Sequence, residues 1–153
     1  MDYIRFLAAL QGELLYWECT QDFSADVSKE AGMFALNFYN ELYGDALRKG
    51  RKSATIRLGD KTSKYQSGML VWVTLGQRFG RRYKLFTAIL DMVEVKPLKD
   101  LTPRDIQREN PEFRTKEEVT TFLQRIYDRP IDEDTLITII YFSPVDEYGL
   151  DGI

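Results

Sequence analysis

Residues 50–58 read GRKSATIRL. From Ser53 on, Ala54, Ile56 and Leu58 fall on one side, and Ser53, Thr55 and Arg57 on the other. That period of two is the pattern of a strand with a buried face. Gly50 stands before it, where a helix ends in a left-handed residue. The preceding YNELYGDALRK (39–49) has helical character. A helix stopped at Gly50 and a strand from Ser53 are therefore expected.

Working outward, MFALNF (33–38) has strand length and MLVWVTL (69–75) is a strand set between Gly68 and Gly76. GQRFGRRY (76–83) has the glycines of a hairpin loop and leads into a long strand, YKLFTAILDMVEVKPL (83–98). Thr102-Pro103-Arg104-Asp105 supplies an N-cap, a proline at N1 and an acid at N3, and Asn110-Pro111 closes that helix. Thr115-Lys-Glu-Glu118 is a capping box, followed by a stripe of Val119, Phe122, Leu123 and Ile126. TLITIIYFS (135–143) is a β-branched last strand. Upstream, Tyr3, Leu7, Leu10, Leu14 and Trp17 recur at helical spacing.

The order (α)βαβββααβ, with short turns between strands, predicts an α+β domain built on a small barrel, not a doubly wound parallel sheet. Three segments are expected: a helical N-terminal extension at 1–30, a domain at 31–145, and an acidic tail at 146–153.

Composition narrows the chemistry. The 153 residues contain no histidine, which removes Ser-His-Asp and Cys-His nucleophile systems and the common zinc sets. Acid–base work falls to Lys, Asp, Glu or Tyr, and neither a metal nor another cofactor is expected. A single cysteine, Cys19, excludes an intrachain disulfide and suits a reducing cytoplasm. No apolar run reaches the roughly 18 residues of a membrane helix, and the N-terminus lacks the basic region of a signal peptide. The net charge of −3 is unevenly spread: residues 48–84 carry 11 Lys/Arg against one acid, Asp60. A local basic patch on an acidic body follows, suited to RNA, a nucleotide or another phosphate-bearing ligand, or to pairing with acidic helices.

Within the patch, Thr55 and Arg57 share a strand face, and Lys52 can swing its amine onto it from the turn. A hydroxyl needs a base to become a nucleophile, and a lysine serves when its pKa falls. Neighbouring cations lower it. Spacing alone fits a basic turn, with a threonine chosen for strand propensity, more readily. GRKS also lacks the upstream glycine of a P-loop.

GRKSATIR resembles the G-x-K-x-x-[ET]-x-R signature of the ASCH domain family, a PUA-like β-barrel group associated with RNA. KYQSGMLVWV, TAILDMVEVKPLKDLT and TLITIIYFSPV are similar in order to that family, over roughly residues 33–145. The resemblance implies the activity of its small members, amidohydrolases that deacetylate N4-acetylcytidine with a Lys, a Thr and a Glu. It carries those roles to Lys52, Thr55 and, in RENPEF, Glu109. A carboxylate ending a short helix opposes the helix dipole, which fits either a ligand-handling acid or a solvated one; Glu112 is the competing acid. In this reading Gly50, Arg51, Ser53, Arg57, Arg78, Arg81 and Arg82 contact the substrate or RNA. Two other functions remain open: a non-catalytic RNA or nucleotide binder, with Trp72, Phe79 or Tyr83 for stacking, and an interaction module pairing through its N-terminal segment.

Overall fold

The computed structural model describes residues 34–76 and 80–145. The expected N-terminal extension and acidic tail, and Arg78 and Phe79 in the hairpin loop, lie outside the described residues. Along the chain run β1 (Phe34–Phe38), α1 (Asn40–Arg48), β2 (Ala54–Leu58), β3 (Leu70–Gly76) and β4 (Arg82–Pro97). A 3₁₀ turn (Leu98–Asp100), α2 (Pro103–Glu109), α3 (Lys116–Tyr127) and β5 (Leu136–Pro144) complete it. The elements expected between residues 33 and 143 are thus present, with ends moved by a residue or two.

The five strands form one mixed sheet in the order β1-β3-β4-β5-β2. Only β1 and β3 pair in parallel; the other three neighbours are antiparallel. The 16-residue β4 is the spine, pairing with β3 along its first half and with β5 along its second. A register shift between Leu90 and Met92 marks the passage; such bulges bend a strand and increase its twist. The sheet curls into a half-barrel flanked by three helices. Its two edge strands approach one another: Arg57 of β2 stacks 5.6 Å from the Phe38 ring of β1 and points Nη2 at the Asn37 carbonyl, 3.4 Å away.

Each face of the sheet has its own core. On one, Ala54, Ile56, Leu58, Ile137 and Ile139 pack with Val119, Leu123 and Ile126 of α3 and Leu98 of the 3₁₀ turn. On the other, inside the curl, Leu36, Phe38, Val71, Val73, Leu75, Ala88, Leu90, Ile140 and Phe142 meet. β5 alternates between the two, and its run of β-branched residues is that of a strand covered on both sides. β2 is covered on both sides too, so Thr55, expected opposite the core, is itself only 4% exposed.

The helix starts follow the sequence signals. Thr102 and Asp105 form a reciprocal capping box at α2, as do Thr115 and Glu118 at α3. Gly50 adopts φ +68° just beyond α1, a conformation that favours glycine. At Gly76 the requirement is space: a Cβ there would lie 2.8 Å from the Arg81 carbonyl oxygen across the hairpin.

Candidate functional site

The last turn of α2 meets the turn into β2, and this junction builds the site. Ser53 N–H donates to the Arg108 carbonyl at 3.1 Å, while Lys52 Nζ donates to the Glu109 carbonyl at 2.7 Å. A cation and an amide thus satisfy two of the carbonyls that a helix end leaves open. Lys52 Nζ also donates to the Ala54 carbonyl at 2.8 Å and faces Glu109 Oε1 at 3.0 Å. Its three N–H bonds are therefore all directed at acceptors from Ala54 and Glu109, and none at Thr55.

Burial is the main force on this amine. With 2% of the residue exposed, desolvation pulls the Lys52 ammonium down to about 8, against the attraction of Glu109 and helped by the charge of Arg57. The Tyr43 ring, 4.2 Å from Nζ, and the Phe38 ring, 5.3 Å away, cover the amine with aromatic faces.

The buried Glu109 carboxylate is held from three sides. Oε1 accepts from the Tyr43 hydroxyl at 2.8 Å as well as from Lys52, and Oε2 accepts from the Ile56 N–H at 2.7 Å. The start of α2 is pinned as firmly. Asp105, four residues before Glu109, accepts from the Tyr141 hydroxyl at 2.6 Å and from Lys96 at 2.8 Å, besides the Thr102 N–H. Burial pushes the Asp105 carboxyl up, but these donors outweigh it and hold the carboxyl below its ordinary value. Burial, with the bond to Asp105, raises the Tyr141 phenol above its own.

Above the pair lies a small cleft of about 50 Å³, partly open to solvent. α1 contributes Leu42 and Tyr43, β2 contributes Thr55, Ile56 and Arg57, and α2 contributes Glu109. Phe122, Leu123, Ile126 and Tyr127 of α3 make its apolar wall. Among the described residues no group hydrogen-bonds the Thr55 hydroxyl. The arrangement offers a ligand an apolar wall, a hydroxyl, a guanidinium and a carboxylate.

Thr55, Arg57 and Glu109 thus share one cleft, with Lys52 directly beneath Glu109. Ser53 lies at the α2 junction, Gly50 in the turn, and Arg51 is exposed and paired with Asp45. Arg81 is exposed and Arg82 half-buried at the start of β4. Glu112, the competing acid, is exposed away from the cleft, its N–H bonded to Asn110. Trp72 is half-buried, with Lys84 over its ring at 5.5 Å. Tyr43 was not singled out by the sequence: a tyrosine in an amphipathic helix carries no local sign of a carboxylate 66 residues away.

No protein-family model and no curated protein matches the sequence. Solved structures do. An ASCH domain from Lactobacillus crispatus JV V101 superposes with a TM-score of 0.56 at 17% identity, covering 90% of this chain and 93% of that one. Hypothetical protein PH0355 gives 0.54 at 16% identity over 74% and 99%. Protein EF3133 from Enterococcus faecalis V583, of the DUF984 family, gives 0.51 at 21% identity over 71% of each chain. The chain has the ASCH-type, PUA-like α+β fold. The likeness extends to the fold and leaves the chemistry to the site.

Proposed function

We propose that this protein is an amidohydrolase that removes an acyl group from the exocyclic amine of a nucleobase, with N4-acetylcytidine as the type substrate. The observation that carries the reading is the Lys52–Glu109 contact at 3.0 Å, buried under a cleft that Thr55 lines.

An ammonium with three occupied N–H bonds cannot accept a proton, so the reactive form is the neutral amine, which a pKa of about 8 makes accessible near neutral pH. Lys52 then takes the Thr55 proton as Thr55 Oγ1 attacks the amide carbonyl carbon. Arg57 faces the oxyanion. On collapse the C–N bond breaks, and the proton held by Lys52 passes to the leaving nitrogen, whose own N–H Glu109 holds. Water then cleaves the threonyl ester: its hydroxyl goes to the acyl carbon, its proton returns to Thr55, and the acid departs.

The test is steady-state hydrolysis of N4-acetylcytidine by the wild type and by Lys52→Met, Thr55→Val and Glu109→Gln, each checked for folding by circular dichroism. Each variant is expected to lose about 10²-fold or more in kcat/KM. Wild-type turnover by folded Lys52→Met would overturn the assignment.

A second reading, binding of RNA or a nucleotide without catalysis, draws on one contact. Arg48 Nη2 donates to Tyr83 OH at 2.6 Å, joining the basic end of α1 to the basic start of β4. Such binding would weaken steeply with salt as phosphate counterions are released.

A further inference from the structure

The hydrogen bonds around Glu109 limit what it can recognise. An ionised carboxylate has about four lone-pair positions. Tyr43 OH and Lys52 Nζ occupy both on Oε1, and the Ile56 N–H occupies one on Oε2. Among the described residues nothing else donates to Glu109, so one acceptor position remains, on Oε2, in a side chain that lines the cleft. All three donors are fixed by the fold: one is a strand amide, one caps α2, and one stands on α1.

We infer that Glu109 accepts a single N–H from the ligand, that the substrates are amides bearing an N–H on the scissile nitrogen, and that Tyr43 is the positioning residue that enforces this choice. The inference rests on the hydrolase reading and sharpens its substrate class. A secondary amide on an exocyclic amine offers one N–H to the one open lone pair. A tertiary amide offers none and sets a carbon group against a carboxylate removed from water, and a site built to bond an N–H rejects an analogue lacking it. Without the Tyr43 hydroxyl, Oε1 regains a lone pair and the carboxylate can turn, so the preference should fade while the ring still covers Lys52.

Two measurements test this, with N4-acetylcytidine against N4-acetyl-N4-methylcytidine as substrates, and cytidine, N4-methylcytidine and N4,N4-dimethylcytidine as ligands in calorimetry. The wild type should prefer the secondary amide by about 100-fold in kcat/KM. It should bind the first two ligands within about threefold of each other and the dimethyl compound about tenfold or more weakly. N4-methylcytidine controls for bulk, because it adds a methyl group and keeps one N–H. Tyr43→Phe should cut the secondary-over-tertiary ratio about tenfold, chiefly by raising KM for the secondary amide. Equal turnover of both amides would overturn the inference and leave the hydrolase reading standing. Binding that follows N–H content without turnover would uphold the single N–H contact to Glu109 but overturn the substrate claim along with the hydrolase reading. Equal binding of all three ligands, or a ratio unchanged in Tyr43→Phe, would also overturn it.

Discussion

Lys52 caps the carbonyl end of α2, contacts Glu109 and carries the most strongly lowered lysine pKa among the described residues, at about 8. If its neutral form is the base, kcat/KM for N4-acetylcytidine should rise with pH and level off above about 8. Arg57 opposes the Lys52 charge, so Arg57→Met should raise the lysine pKa and move the rising limb to higher pH. A limb that stays in place, or moves to lower pH, would count against Lys52 as the titrating group. At this scale the sequence was partly legible. The missing histidines and the cations around GRKSATIR single out Lys52 in the sequence itself. The grip of Tyr43 on Glu109 could not be read there, because it joins residues 66 apart on helices with no shared local pattern.

Helix α2 has only seven residues, so its placement depends on its two ends rather than on its own propensity. Asp105 pins the first turn to β4 and β5 through Lys96 and Tyr141, and Lys52 and Ser53 hold the last. Asp105 and Glu109 are four residues apart and both buried, hence on one face of the helix. Tyr141→Phe removes a donor from a buried carboxylate and should cost roughly 1–3 kcal/mol, read as a lower midpoint in urea. It should also reduce turnover, because the helix that carries Glu109 loses an anchor; unchanged stability would show the contact to be dispensable. Thr102→Ala, which deletes the N-cap, should cost about 1 kcal/mol. The capping boxes were plain in the sequence, since their partners lie three residues apart. The Asp105–Tyr141 bond was not, because it spans 36 residues.

On the scale of the whole molecule, the curl of the sheet brings β1 and β2, its two edges, together beside the cleft. Strand number and order were legible from alternation and turn residues. Which strands would become the edges was not, because it depends on the parallel β1–β3 pairing, for which the sequence has no local mark. The basic segment 48–84 belongs to this scale too. For a hydrolase of small nucleosides, kcat/KM should change less than about twofold between about 50 and 200 mM salt, whereas RNA binding would fall by orders of magnitude. The central claim is that Lys52 and Thr55 act as one hydrolytic unit under the cleft. The most direct test is kcat/KM for N4-acetylcytidine in the wild type, Lys52→Met, Thr55→Val and the double variant. Residues that act as a unit are strongly non-additive, so the double variant should fall within about tenfold of the worse single one. Losses that multiply, or a wild type without activity, would contradict the claim.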